Sequence, residues 1–292
     1  MIRHNLIIED LKKHIKSTEK NKSSFWKKHL NQFTDYLNPY AFVGAVSYTK
    51  KSLVKKPLNF LLSRIVYGNN IFFSKTYKRF KKVFDSIDRQ IDNEAIRHIF
   101  TFKLLKDQVN PSRICIIGDG KLNGLIGGIT EFPEAKIYSV NLTEVLINDY
   151  LILEKTNLVK DNFVQVVNSI DDEDIKNKKV VFIPANFKNF LNDKKIDLFI
   201  NITAFQEMTI NEINDYFNII KSNKSILYCC NREYKKLYDG EELYFNKYPW
   251  GYGNKLFSEN CPWLQKFYFL KYPFISNYDG KIKHCLIDYS EK

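Results

Sequence analysis

Beyond Pro111 the sequence alternates short apolar runs with stretches of helical periodicity, and this alternation limits the fold more than any other feature. The runs RICIIG, AKIYSV, KVVFIPA, DLFINI and SILYCC place apolar residues at successive positions, so strands built from them are buried on both faces. TEVLINDYLILEK and TINEINDYFNIIKS, in between, read as helices. Strands covered by helices on each side make a doubly wound, mostly parallel α/β sheet. NFVQVVNS fits either a further short strand or a loop.

The first third has a different pattern. Apolar residues recur there at spacings of three and four among charges, as in Phe80, Val83, Phe84, Ile87 and Ile91, which is a helical stripe. In DNEAIRHIFTFKLLKDQ, Asp92 caps a helix that must end on the approach to Pro111. The expected boundary is near residue 110, with a basic helical cap over residues 1–110 and a nucleotide-binding type of domain over 111–292. Charge divides at the same place. Residues 1–110 hold 22 Lys and Arg against 9 Asp and Glu, whereas residues 111–292 hold 23 against 24, so the net +12 lies in the cap. The runs KKSLVKK and KRFKK are either solvated helix surface or a face for an anionic partner: nucleic acid, anionic lipid headgroups, or a phosphorylated or acidic glycan.

Several classes are excluded or disfavoured. The most apolar stretch, LNFLLSRIVYGNNIFF, is interrupted by Arg64, Gly68, Asn69 and Asn70, so it is not a membrane span. The opening MIRHNLIIEDLKKHIK lacks the apolar core and cleavage site of a secretory signal, and a cytoplasmic location is expected. Cys115, Cys229, Cys230, Cys261 and Cys285 form no Cys-x-x-Cys pair and read as buried, reduced thiols. The acidic run DDED at residues 171–174 is followed by KNKK and has no calcium-loop spacing, so no metal is expected.

ICIIGDGKLNG, residues 114–124, sets a strand against glycines spaced Gly-x-Gly-x-x-x-Gly. In a doubly wound sheet the ligand lies beyond the carboxyl ends of the strands, where the first strand turns into its helix. Gly118 and Gly120 let the backbone turn and approach a ligand. The third glycine comes one place late for a dinucleotide fingerprint. About 20 residues on, Asn141 and Leu142 close the second strand, where such folds hold ribose hydroxyls. The C-terminal WLQKFYFLKYPFISNYDGKIKHCLIDY reads as two strand patterns joined through SNYDGK, a hairpin signal. A parallel sheet ending in an antiparallel hairpin is the arrangement of class I S-adenosylmethionine (SAM) methyltransferases.

Three segments also resemble the sugar O-methyltransferase family: INITAFQEM (residues 200–208), NLTEVLINDYLIL (141–153) and LYCCN, ending at Asn231. The resemblance covers about residues 111–290. It implies SAM as cofactor and a sugar or glycan acceptor, phosphorylated or lipid-linked, in surface glycan synthesis. It carries Asn201, Gln206 and Asn231 as polar neighbours of the ligand, with Asn201 near the methionine moiety. It places Pro184, Ala185 and Asn186 facing adenine. This chain departs from the pattern in having Ile116 where methyltransferases commonly carry an acid, with Asp119 between the glycines instead, and in having Asn141 for the ribose aspartate and Thr143 for a proline. An asparagine lacks the charge that makes such a hydrogen bond about twice as strong.

Methyl transfer asks for alignment of a hydroxyl with the sulfonium methyl and removal of its proton. Glu207 is the expected proton acceptor or sugar-hydroxyl ligand, the other reading being a helix cap or a partner of a lysine, and His284 is the second catalytic candidate, a lone histidine that reads more often as a packed or surface side chain. Trp250, in YPWGYGNK, is a candidate sugar platform or a packing residue. The alternatives are a methyltransferase-like binding module without catalysis and an RNA methyltransferase using the basic cap. A homo-oligomer and peripheral membrane contact through the cap stay open. The whole expectation depends on an adenosyl group resting on residues 118–120 with Asn141 at its ribose, and a shelf filled by the protein's own side chains would count against it.

Overall fold

The computed structural model of the chain describes residues 2–30, 56–169, 175 and 177–290. The apolar runs become β1 (Arg113–Ile117), β2 (Lys136–Asn141), β4 (Val180–Pro184), β5 (Leu198–Ile202) and β6 (Ile226–Arg232). NFVQVVNS supplies a short strand, β3 (Val164–Val166). With β9 (Asn254–Asn260) and β12 (Ile282–Asp288) they form one eight-stranded sheet, in the order β3-β4-β2-β1-β5-β6-β12-β9. Pairing is parallel from β3 to β6, and β12 runs antiparallel between β6 and β9.

The antiparallel ending stands as expected, but the partner of the last strand differs. β12 pairs with β9, and the aromatic stretch before it folds aside as a two-stranded ribbon, β10 (Lys266–Tyr268) and β11 (Ile275–Asn277). Its β-branched and aromatic residues suit any pleated surface, so propensity alone did not single out the main sheet. A second small ribbon joins β7 (Tyr234–Lys236) to β8 (Glu242–Tyr244).

Both faces of the sheet are dry. Ile114 and Ile116 point into one core, and Cys115 and Ile117 into the other. The first core is closed by α7 (Asn123–Glu131), α8 (Thr143–Thr156) and the helices of the cap, the second by α9 (Ile210–Ser222) and the short turns after β4 and β5. The five cysteines are buried and form no disulfide.

Upstream lie α1 (Ile2–Lys13), α2 (Ser24–Leu30), α3 (Lys56–Tyr67), α4 (Asn70–Phe73), α5 (Lys75–Ser86) and α6 (Asn93–Gln108). Asp92 caps α6 by accepting from the Ala95 amide at 2.9 Å. The stripe Phe80, Val83, Phe84, Ile87 and Ile91 is buried. Cap and sheet share this core: α6 lies so close to α7 that a side chain at Gly127 would overlap the Phe102 ring. KRFKK lies on α5, while KKSLVKK falls almost wholly outside the described residues, as does the acidic run 171–174. Among the described residues no group of metal-ligating side chains is assembled, and no helix is long and apolar enough to cross a membrane.

The N-terminal segment does not stay with the other cap helices. α1 packs along α8, and residues 14–30 run across the carboxyl ends of the strands. Lys22 makes a buried ion pair with Glu144 at 2.7 Å, Thr18 meets Thr143, Asn21 donates to Glu212, and the Ser23 hydroxyl donates to the Glu207 carbonyl. Burial works against the Lys22 ammonium, but its bonds to Glu144 and Glu19 outweigh this and hold its pKa above 10.5.

Candidate active site

The turn after β1 is fixed from several directions. Gly118 has φ +77°, and a Cβ there would overlap that of Ala204, so the glycine is required by backbone conformation and by the approach of the β5 loop. Gly118→Ala should lower unfolding stability by about 2 kcal/mol, from left-handed strain and overpacking together, as read by denaturant titration. Leu122, just before α7, is also left-handed at φ +59°, and its amide is held by Asp149 Oδ1 at 3.0 Å. Asp119 Oδ2 accepts from the Leu125 amide at 2.7 Å. Arg89 comes in from the cap to bond the Lys121 carbonyl at 2.6 Å and Asn123 Oδ1 at 2.9 Å.

Two of the amides that would greet a pyrophosphate at a helix N-terminus are therefore engaged by the chain's own carboxyl groups. Burial, reinforced by the nearby charge of Asp119, pushes the Asp149 carboxyl well above the usual range. This arrangement disfavours a dinucleotide, in agreement with the late third glycine.

A cleft of about 280 Å³ opens beyond the carboxyl ends of β1 and β5. Its walls include residues 118–121, Gln206 and Glu207, and from remote parts of the chain Trp26, His98 and Lys235. Glu207 ends a single turn (Phe205–Glu207) after β5. Its carboxyl reaches solvent through the cleft and has no hydrogen-bond partner among the described residues. Desolvation raises its pKa to about 8, with Glu94 adding to the rise and the cations Lys235 and Arg232 opposing it. A carboxyl that titrates near neutrality at the mouth of a fold's ligand crevice has the properties of a general base.

The asparagines fill other roles than those expected. Asn201 is fully buried and bonds the Ile117 carbonyl (3.2 Å), the Phe205 amide (3.2 Å) and Asn231 Nδ2 (2.8 Å). Asn231 in turn accepts from the Gln206 amide, and Gln206 Oε1 accepts from the Arg232 amide. This network sets the loop that carries Glu207. Within it, Gln206 and Arg232 also line the cleft, whereas Asn201 and Asn231 do not and are positioning residues. Asn141 donates to the Asp119 carbonyl at 2.8 Å and accepts from the Leu142 amide at 2.9 Å, so its carboxamide first serves the turn.

Two expectations are corrected. His284 lies in the sheet, 1% exposed, hydrogen-bonded to Tyr228 and Glu259 and ringed by Phe257 and Trp263. Burial lowers its pKa against the pull of Glu259, and it does not line the cleft. Trp250 donates to the Phe245 carbonyl and packs on Phe217 and Phe245, so it is a packing residue.

Leu142 and Ala185, expected at the cofactor, form an apolar wall with Val145, and Trp26 and Leu30 of α2 pack against it. Pro184 ends β4 immediately before this wall. Asn186, the next residue along, has a buried Oδ1 with no donor among the described residues. The shelf at residues 118–120 is open to the cleft, whereas the adjoining wall is covered by α2.

The parallel β3–β6 region, the antiparallel β12 between β6 and β9, and a cleft at the β1 turn make a Rossmann-like, doubly wound α/β fold. No family model matches the chain, and no curated protein matches it in sequence. Among solved structures it is similar to the cofactor-bound protein Rv0187 from MTB, at 11% identity over 80% of this chain and 97% of that one, with a TM-score of 0.43. It is similar to the methyltransferase domain of bacterial CtHen1, at 15% identity over 66% and 97%, TM-score 0.35. It is also similar to coclaurine N-methyltransferase, at 8% identity over 89% and 78%, TM-score 0.39.

Proposed function

We propose that the chain is a SAM-dependent O-methyltransferase in which Glu207 takes the proton from a sugar hydroxyl. The observation that carries this reading is the Glu207 carboxyl, without a hydrogen-bond partner among the described residues and with its pKa raised to about 8 by burial, in the crevice where this fold places its ligand. The resemblance of residues 200–208 to the sugar family supports the acceptor class.

The residues fit the cofactor in three respects. Residues 118–120 offer open backbone to its amino-acid end. Leu142, Val145 and Ala185 offer an apolar face to a flat base, and the orphaned Asn186 Oδ1 offers an acceptor to an exocyclic amino group. Trp26 must then lie over the base instead of over Leu142. When bound, the cofactor supplies an electrophilic methyl group. The chain's part is to hold the acceptor oxygen in line, to receive its proton on Glu207, and to keep Lys235 and Arg232 beside the carboxylate that forms. Because the base works unprotonated, the rate should climb as pH rises and level off above about 8.

Covering of the wall by Trp26 and Leu30, together with the engaged Asn141, favours as second reading a binding module that has lost catalysis. One experiment separates the two. Calorimetry with S-adenosylhomocysteine, the demethylated product, should give heat, and the tryptophan emission should change in the wild type but not in Trp26→Phe. No heat and no thermal shift at millimolar ligand would favour the module.

A further inference from the structure

A larger cavity lies away from the cleft. It encloses about 690 Å³ between α3, α4 and α5, a size ordinary for a small-molecule site. Phe60, Phe72, Tyr77, Ile91 and Ile96 give it a mostly apolar interior, Asp85 on its wall is paired with Lys81, and Arg89 forms part of the wall while holding the turn after β1.

Two further observations bear on what it takes. Arg64, at its edge, stacks over Phe60 at 4.1 Å and also faces Phe72 and Phe73. No carboxylate lies within ion-pair distance of Arg64 among the described residues, and its buried Nε has no acceptor. A half-buried guanidinium held on aromatic rings, with no carboxylate beside it among the described residues, suits an incoming anion. On the same two helices, α3 and α4, Leu61, Ile65 and Phe73 each leave more than half their surface in water, and Phe60 nearly half. Helices seldom leave such a row of large apolar side chains exposed without a use. Lys75, Lys78 and Lys82 are exposed on the adjoining α5.

We infer that this cavity and its rim bind an anionic phospholipid at a membrane surface, one acyl chain entering among Phe60, Phe72 and Ile96 while Arg64 meets the phosphate. The rim side chains then sit at the boundary of headgroups and acyl chains, and the lysines of α5 lie over the charged surface. A protein partner would bury the rim, but would leave the apolar cavity behind it unexplained.

The test is sedimentation of the full chain, without cofactor, with vesicles of phosphatidylcholine alone or with about a third phosphatidylglycerol. The chain should pellet with the anionic vesicles at least about tenfold more strongly, and less so as salt rises. Arg64→Gln should weaken binding about fivefold, the weight of one cation at such a surface. The triple variant Leu61→Ser, Ile65→Ser, Phe73→Ser, changed only at exposed positions, should stay in the supernatant with its melting temperature unchanged. Equal pelleting with both vesicles, no pelleting, or a triple variant that pellets like wild type would overturn the inference. Binding of a soluble anionic single-chain amphiphile without any vesicle binding would also overturn it, by removing the membrane as source. Methyl transfer enters none of these readouts, so the lipid site and the role of Glu207 can fail separately.

Discussion

Glu207→Gln should bind S-adenosylhomocysteine as tightly as wild type yet lose methyl transfer by about 10²- to 10⁴-fold, the usual weight of a positioned general base. The substitution keeps the volume of the side chain and removes only its ability to take a proton. Stability supplies an independent readout of opposite sign. The native carboxyl holds its proton up to about pH 8, against 4.5 for an ordinary glutamate. Between those values the native state carries one proton more than the unfolded chain, so wild-type stability falls as pH rises through that window. The glutamine pays no such penalty. Thermal melts should therefore coincide near pH 4 and separate by several degrees at pH 9, with Glu207→Gln the higher. Full activity in the variant, or melts that stay together, would remove Glu207 from the mechanism.

Glu144→Ala is expected to release the N-terminal segment from the mouth of the sheet. Lys22 and Glu144 are both almost fully buried, and the other carboxylate on Lys22, Glu19, stands mostly in water. Removing one partner of a buried pair costs about 3 kcal/mol. The cost should fall on residues 14–30 as local opening rather than on the whole fold, since the sheet keeps its two cores without them. Trypsin should cut at Lys20, Lys27 and Lys28 about a hundredfold faster, while the main unfolding transition moves little. A large drop in that transition with no faster cleavage would make the segment part of the global core. The pair raises the Lys22 ammonium above 10.5, so its contribution is complete at neutral pH and is lost only as pH climbs through the raised value.

The parallel sheet could be read in the sequence because strands buried on both faces leave a strong signal: Ile114 to Ile117 must be apolar at every position, whichever core each faces. The partner of β12 was not legible. Residues 266–268 and 275–277 have the same β-prone composition as a core strand, and only packing decided that β9, largely exposed, would take the edge. At the cleft, the glycine turn and the loop of Glu207 are local in sequence and can be read there. The asparagines at the strand ends stand out in the sequence, but whether a carboxamide faces a ligand or its neighbour depends on partners dozens of residues away, as for Asn201 and Asn231. Trp26, His98, Arg89 and Lys235 left no local mark, because long-range packing alone brings them to the crevice. Asp149 lies inside an apolar-rich helix, where one acid among leucines and isoleucines gave no hint that it secures the turn.

The occupied amides at the start of α7 bear on which ligands the crevice can tell apart. With Asp119 on the Leu125 amide and Asp149 on the Leu122 amide, a phosphate would find two of its donors already taken. Rejection of phosphate there would weaken in any variant that frees the Leu125 amide.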